Sequence, residues 1–226
     1  MNNDFKVFVP AAGKATRLSG LPKFYLPLKH DDFLLNYHIS NLQQKENFDI
    51  CLGVNSSFYD SLINTFEEIE ICKIESNSMV ETVFKLGLTE TSNSLVIMPD
   101  TYFKDYQIVY DMADLLINNN FDIVLGLWKI RSDQIGKLGQ CVISSNQVLE
   151  IIDKDITCKE DYFWGSICWK KEFNKYIDLN DQHFGISINR GIENNLNVGY
   201  VISDSDYFDC GTFEEYKHML LSLIHI

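Results

Sequence analysis

The sequence lacks the cysteine and histidine arrangements that commonly mark a metal centre or a disulfide framework. It contains no Cys-x-x-Cys pair, and its five histidines show no metal-ligand spacing. Several cysteines fall within apolar, strand-like runs, which indicates buried free thiols rather than disulfides or zinc ligands. The six scattered cysteines are Cys51, Cys72, Cys141, Cys158, Cys168 and Cys210.

Long hydrophobic runs and net positive charge are also absent. No apolar stretch approaches membrane-spanning length, and the first residues contain no apolar region typical of a signal peptide. The 226 residues include 32 acidic residues against 19 lysines and arginines, which gives a formal net charge of −13. Because binding to nucleic acids or anionic membranes requires a basic face, we expect neither partner. The lack of a signal peptide and of a membrane-spanning run leads us to expect a cytoplasmic location.

The remaining composition is that of a globular α/β protein. Hydrophobic residues make up 46% of the chain and aromatic residues 13%, which suffices for a sizeable core. Predicted strands alternate with predicted helices through residues 1–128, and this pattern is typical of a doubly wound, mostly parallel sheet. We find no repeat or low-complexity linker, and we therefore expect one domain spanning residues 1–226.

One segment reverses the overall charge. Residues 5–30 contain no Asp or Glu, and a short apolar run there ends at Pro10 and passes into Ala11, Ala12 and Gly13. These small residues let the backbone approach a ligand and present its N–H groups to an anion. The segment suits a small polyanion such as a nucleoside triphosphate, although a strand-to-helix loop with chance cations is the alternative. Its five cations are Lys6, Lys14, Arg17, Lys23 and Lys29.

The order of residues in this segment resembles the sugar-1-phosphate nucleotidyltransferases. The family signature runs from a strand to Ala-Ala-Gly or Gly-Gly, then Gly-x-Gly-Thr-Arg-Leu, then Pro-Lys and Leu-Pro. Residues 13–18 (GKATRL) and 22–27 (PKFYLP) occupy those places, with Ala15 where the family usually has Gly. Walker A and dinucleotide glycine spacings are both absent. The resemblance implies a Rossmann-like nucleotide-diphospho-sugar transferase fold, with a nucleotide-binding half over residues 1–128 and a sugar-phosphate-binding half over residues 129–226. The implied nucleotide-binding residues are Ala11, Ala12, Gly13, Lys14, Ala15, Thr16, Ser78 and Met79.

The resemblance also implies catalytic and metal-binding roles. Arg17 would bind the leaving pyrophosphate, and Lys23 would stabilise charge that develops at the α-phosphate. Asp100 directly follows a predicted buried strand, and Asp209 lies in the segment YFDCGTFEEY. Family members use Asp residues at both places to hold Mg²⁺, which prefers oxygen ligands. Either residue alone could be a helix cap or a turn residue, but the two together at strand ends favour a shared magnesium site.

Further residues resemble those with which the family binds the sugar phosphate. Asp153 and Lys154 resemble its Glu-Lys-Pro segment, whose Lys contacts the sugar phosphate and whose acid contacts sugar hydroxyls. Gly165 matches a glycine on which a hexose can rest, and Trp164 stands beside it. Alternatively, Lys154 is a solvated lysine in a charged loop. The segment with Trp164 and Gly165 is then a strand whose aromatic residues belong to the core.

The predicted function is therefore transfer of a nucleoside monophosphate from dTTP or UTP to a sugar 1-phosphate, with release of pyrophosphate. Overall similarity favours a thymidylyltransferase acting on glucose 1-phosphate, and a homo-oligomer is compatible with it. One alternative is a cytidylyltransferase for phosphocholine or another alcohol phosphate. A glycosyltransferase of the same general fold is a second, although Asp100-Thr101-Tyr102 lacks the second Asp of Asp-x-Asp. An inactive nucleotide-binding regulator is a third, although none of the expected Asp or Lys residues is lost.

Overall fold

A computed structural model of the protein describes residues 5–13, 21–28, 32–66, 68–88 and 92–224. The predicted residues Lys14, Ala15, Thr16 and Arg17 lie outside these ranges. Short 3-10 helices occur at Lys23–Tyr25 and Lys171–Tyr176. The strands are β1 Phe5–Ala11, β2 Phe48–Val54, β3 Glu70–Lys73, β4 Asn93–Val96, β5 Thr101–Phe103, β6 Ile123–Lys129, β7 Gly139–Ser144, β8 Gln147–Asp153, β9 Tyr162–Lys170, β10 Val198–Ser203 and β11 Tyr207–Asp209. The α-helices are α1 Leu34–Leu42, α2 Ser56–Leu62, α3 Met79–Lys85, α4 Gln107–Asn118, α5 Phe184–Glu193 and α6 Phe213–Ile224.

A mixed, mostly parallel sheet forms the centre of the fold. Its strand order is β10-β6-β9-β4-β1-β2-β3, and the β7–β8 hairpin joins it at β9. The strands β4, β1, β2 and β3 run parallel to one another, as do β10 and β6. Strand β9 runs antiparallel to both of its neighbours, β4 and β6. The predicted α/β fold with a mostly parallel mixed sheet is confirmed.

Helices cover both faces of this sheet, and the sequence of β1 shows why. Every second residue of a strand points to the same face, and β1 is apolar on both faces. Val7 and Val9 pack in the core formed with α1 and α4, whereas Phe8 packs in the core formed with α3 and α5. Two hydrophobic layers therefore hold β1 at the centre of the sheet, and its C-terminal end is placed firmly at one edge.

A second sheet of two short strands was not predicted. β5 and β11 pair antiparallel, with Asp209 opposite Thr101 and Tyr207 opposite Phe103. The backbone N–H of Cys210 also donates to the carbonyl oxygen of Asp100, at 2.9 Å. Segments of three residues are too short to show a period in the sequence, and their pairing partners are distant along the chain. This small sheet brings the segment after β4 against the segment that leads into α6.

Side chains cap the starts of α2 and α3. Ser78 Oγ accepts a hydrogen bond from the N–H of Glu81 at 3.1 Å and so caps α3. Helix α2 begins at Ser56, where the Asn55 side chain accepts from the N–H of Ser57 at 3.0 Å. All six cysteines are free thiols. No helix among the described ranges has the length and apolar character needed to cross a bilayer.

His38 connects α1 to the small sheet. Its side chain is fully buried, its Nε2 donates to the carbonyl oxygen of Thr101 at 2.9 Å, and its Nδ1 lies 3.3 Å from the hydroxyl of Tyr106. Burial disfavours the charged imidazolium and lowers the pKa of His38 to about 4. The folded protein therefore holds a neutral histidine where the unfolded chain holds one that titrates near pH 6.5.

We predict that His38 destabilises the protein as the pH falls from about 6.5 to about 4. Over this range the unfolded chain binds a proton at His38, whereas the folded state does not. The free energy of unfolding therefore falls by up to about 3 kcal/mol. Urea unfolding of His38→Gln, which keeps a donor for Thr101, should show a shallower pH dependence than wild type. His218→Gln removes an exposed histidine and is the matched control. Equal pH profiles for wild type and His38→Gln would contradict this account.

Candidate active site

The loops that follow β1 and β4 border a cleft of about 420 Å³. Both strands end at the same edge of the sheet, where open α/β sheets bind their ligands. The other walls come from the 3-10 helix at Lys23 and from the segment that begins α3. Ala12 is buried beside the cleft. The predicted site residues that line the cleft are Ala11, Gly13, Lys23, Ser78, Met79 and Asp100.

An ion pair crosses this cleft. Lys23 Nζ lies 2.7 Å from Asp100 Oδ2, and both side chains are mostly shielded from solvent. Lys23 opens a 3-10 helix directly after Pro22, whose carbonyl oxygen accepts from the N–H of Tyr25 at 3.0 Å. Asp100 follows β4 and precedes β5. The two sequence motifs that carry these residues are thus joined by a charge-assisted hydrogen bond.

Asp209 completes a group of three charges. Its Oδ1 accepts from the N–H of Gly211 at 3.0 Å. A Cβ added to Gly211 would lie 2.9 Å from Asp209 Oδ1 and 3.3 Å from Lys23 Nζ, so both side chains close around this glycine. Burial and, next to it, the negative charge of Asp100 raise the pKa of Asp209 to about 6, with Lys23 offsetting part of their effect. The structure thus brings Lys23, Asp100 and Asp209 together.

The residues present fit the magnesium ion that the resemblance implies. Carboxylate oxygens of Asp100 and Asp209 are the hard ligands that Mg²⁺ prefers, and two of them suffice when substrate phosphates and water supply the rest. A divalent cation would also relieve the repulsion that raises the pKa of Asp209. The metal-binding role of these two residues stays a prediction.

Gly13, which follows β1, has a support that sequence reasoning missed. Asn55 is buried, and its Nδ2 donates to the carbonyl oxygen of Gly13 at 3.2 Å while its side-chain oxygen caps α2. An Asn directly before a helical run was the available signal. A Cβ added to Gly13 would meet nothing within 4 Å, so packing does not explain this glycine. Capping does explain Ser78, whose nucleotide-binding role, like that of Met79, stays a prediction.

The residues predicted to bind the sugar phosphate form a second group, outside the residues that line the cleft. Asp153 ends β8, and Lys154 follows in the left-handed region with φ 52° and an exposed side chain. Sequence reasoning missed His183, whose Nε2 lies 3.2 Å from Asp153 Oδ2. A Cβ on Gly139 would lie 2.6 Å from Trp164 Nε1 and 3.4 Å from Asp153 Oδ1, so the indole and the carboxylate are neighbours.

Gly165 is explained by packing. A Cβ there would lie 2.5 Å from the ring of Tyr207 and 2.9 Å from that of Trp128, distances that no side chain could occupy. Both aromatic rings are buried, and Tyr207 lies in β11 two residues before Asp209. This glycine therefore lets β11 approach the central sheet. Its contact with a sugar stays a prediction.

Comparison with known proteins gives matches among solved structures. No protein-family model matches the chain, and no curated protein matches it. A protein from Bacillus anthracis, described as a glucose-1-phosphate thymidylyltransferase in complex with sucrose, has a TM-score of 0.80 at 16% identity, covering 98% of this chain and 96% of that chain. UDP-glucose pyrophosphorylase complexed with UDP-glucose has a TM-score of 0.78 at 13% identity, covering 98% of this chain and 99% of that chain. The chain has the fold of the sugar-phosphate nucleotidyltransferases.

A third structure with this nucleotidyltransferase fold widens the range of substrates among the matches. The inositol-1-phosphate CTP transferase from T. maritima has a TM-score of 0.73 at 16% identity, covering 95% of this chain and 94% of that chain. The matches thus include proteins named for thymidylyl transfer, for UDP-glucose and for CTP. The resemblance seen in residues 13–18 and 22–27 is confirmed at the level of the fold.

We predict that Asp209→Asn stabilises the metal-free protein above about pH 6. The raised pKa means that the folded state disfavours the Asp209 carboxylate, and this penalty is fully present above pH 6 and vanishes below about pH 4. Because solvent screens part of the repulsion at this half-buried group, we expect a gain of about 1–2 kcal/mol in the free energy of unfolding.

Urea unfolding at pH 8 and at pH 4, with a chelator present, measures this gain. Asp206→Asn, in the turn just before β11, provides a control near Asp209 in sequence. Destabilisation by Asp209→Asn at pH 8, or the same gain at both pH values, would contradict the proposed repulsion.

Proposed function

We propose that the protein transfers a nucleoside monophosphate from dTTP or UTP to a sugar 1-phosphate and releases pyrophosphate. The observation that carries this proposal is the convergence of Lys23, Asp100 and Asp209 beside the cleft that Gly13 and Asp100 border. The nucleotidyltransferase fold of the chain supports it.

The proposed nucleotidyl transfer requires positioning of the substrates and neutralisation of charge, and it does not require a strong base. The phosphate oxygen of a sugar 1-phosphate is already anionic and can attack the α-phosphorus of the triphosphate in line. Lys23 would stabilise the negative charge that develops there, since incoming phosphate oxygens compete with Asp100 for its ammonium group. A Mg²⁺ ion held by Asp100 and Asp209 would supply further positive charge.

The other proposed roles lie around this centre. Arg17, which is outside the described ranges, would bind the leaving pyrophosphate through its planar guanidinium. Lys154 has an exposed ammonium that can orient the sugar phosphate, and Asp153, in contact with His183, can accept hydrogen bonds from sugar hydroxyls. Trp164 lies beside Asp153 and would border the sugar ring together with Gly165.

A second candidate function is cytidylyl transfer to an alcohol phosphate. It is favoured by the likeness to the inositol-1-phosphate CTP transferase, which covers 95% of this chain. The same three charged residues would serve this reaction, since both reactions join a phosphate oxygen to an α-phosphorus. The two reactions differ in the phosphate that accepts the nucleotidyl group and in the nucleobase of the triphosphate.

The experiment is a screen for pyrophosphate release with Mg²⁺ present. It combines dTTP, UTP, CTP and ATP with several sugar 1-phosphates, inositol 1-phosphate and phosphocholine, and it identifies each product by mass. We expect turnover with dTTP or UTP and a sugar 1-phosphate. Turnover only with CTP and an alcohol phosphate would support the second candidate, and no turnover with any pair would reject both.

We predict that Lys23→Met lowers kcat by about 10²–10³-fold, because Lys23 would stabilise charge that appears mainly in the transition state. Lys104→Met removes an exposed lysine from the segment after β5 and is the matched control. Circular dichroism should show that both variants fold. Equal kcat values for the two variants would contradict the role of Lys23.

A further inference from the structure

A second cluster of potential metal ligands lies away from the candidate active site. Cys51 in β2 pairs with Glu70 in β3, and Cys72 follows two residues later on the same face of β3. The two sulfur atoms and a carboxylate oxygen of Glu70 all lie within 4.8 Å of one another. Cys72 Sγ donates to Glu70 Oε1 at 3.4 Å. The pairing register of β2 and β3 therefore gathers two thiols and one carboxylate at one point.

We propose that Cys51, Glu70 and Cys72 bind a thiophilic divalent cation of the Zn²⁺ class. Ligands around a tetrahedral zinc ion stand about 3.5–4 Å apart, given Zn–S bonds of about 2.3 Å and Zn–O bonds of about 2.0–2.2 Å. The spacing of the three ligand atoms allows this geometry after small side-chain rotations. Thiolate sulfur selects zinc over magnesium, so this site would differ in metal from the pair Asp100 and Asp209.

A lysine offsets part of the charge of such a site. Two thiolates and the Glu70 carboxylate carry three negative charges and the neighbouring Asp49 adds a fourth, whereas a divalent ion and one lysine supply three positive charges. Lys6 from β1 is that lysine, since its Nζ lies 2.7 Å from Glu70 Oε2 and 3.3 Å from Asp49 Oδ2. Lys6 binds Oε2, whereas Cys72 contacts Oε1, so one carboxylate oxygen already faces the thiols.

The site is also accessible. Glu70 and Cys72 line a cleft of about 540 Å³ at the amino-terminal ends of the strands, together with Lys6 and the end of α3. Cys51 is buried, Cys72 is half-buried and Glu70 is exposed, so an ion can enter from the cleft. The fourth coordination position would face this cleft, where water can fill it.

A bound ion would hold β3 to β2. Strand β3 is half-buried or exposed along its length and pairs with β2 at one end of the sheet order. The chain runs from β3 into Ser76, Asn77 and Ser78, which line the candidate active-site cleft. The ion would therefore stabilise the strand that supports one wall of that cleft. This proposal revises the expectation that the cysteines are free thiols without a metal role.

The direct test is metal titration of the reduced, metal-free protein with Co²⁺ as a spectroscopic probe and Zn²⁺ as the competitor. We expect one ion per chain, a thiolate-to-metal charge-transfer band, displacement by Zn²⁺ and no displacement by excess Mg²⁺. Cys72→Ser and Cys51→Ser should each weaken the band and lower affinity by more than the roughly 10- to 100-fold typical of outer-sphere changes. Cys158→Ser, which removes another half-buried thiol, should leave the titration unchanged. Absence of the band in wild type, or its persistence in Cys51→Ser and Cys72→Ser, would overturn the proposal.

Alkylation of the wild-type protein tests the site without any substitution. Cys72 and Cys158 are both half-buried thiols, and peptide mass spectrometry can follow each separately. Because a metal-bound thiolate is a poor nucleophile, Zn²⁺ should slow alkylation of Cys72 about tenfold or more and leave Cys158 unchanged. Equal rates for Cys72 with and without Zn²⁺ would overturn the proposal. So would a Cys51–Cys72 disulfide in protein prepared without an oxidant. Neither the metal titration nor the alkylation rate depends on nucleotidyl transfer. Failure of the zinc-site proposal can therefore be distinguished from failure of the proposed function.

Discussion

The close approach of two carboxylates, Asp100 and Asp209, is the constraint on which the rest of the site depends. Antiparallel pairing of β5 with β11 places Asp209 opposite Thr101, next to Asp100. Lys23 offsets part of the resulting repulsion through its 2.7 Å contact with Asp100. Burial and the remaining repulsion still raise the pKa of Asp209 to about 6. The fold thus places a local excess of negative charge where the proposed cation would bind.

The surrounding structure serves to hold this arrangement. Gly165 has no side chain where the ring of Tyr207 packs, so β11 can lie against the central sheet. His38 in α1 donates to the carbonyl oxygen of Thr101 and so connects α1 to β5. Gly211 leaves space in which Asp209 and Lys23 approach each other. Each of these contacts joins elements that are distant in sequence, so the site forms only when the whole fold is in place.

The sequence predicted the fold and named Lys23, Asp100 and Asp209 as candidate site residues, but it did not predict the contacts that bring these three together. Apolar strands separated by capped helices, such as β1 and the Ser78-capped α3, carry strong local signals. The strands β5 and β11 have three residues each and no such signal, so Asp100 and Asp209 were placed at strand ends without the pairing that joins them. The pairing of β2 with β3 brings Cys51 close to Glu70 and Cys72. The sequence did not predict this contact, because spacing along one segment does not show which residues are neighbours on adjacent strands.

The central claim is that Asp100 and Asp209 bind one divalent ion together with a triphosphate, and metal affinity in a double-mutant cycle tests it most directly. Electron paramagnetic resonance can measure Mn²⁺ binding in the presence of a non-hydrolysable triphosphate for wild type, Asp100→Asn, Asp209→Asn and the double variant. Residues that share one ion are strongly non-additive. We expect either single substitution to remove nearly as much affinity as both together. Additive losses, or Mn²⁺ affinity that either single substitution leaves unchanged, would contradict a shared site.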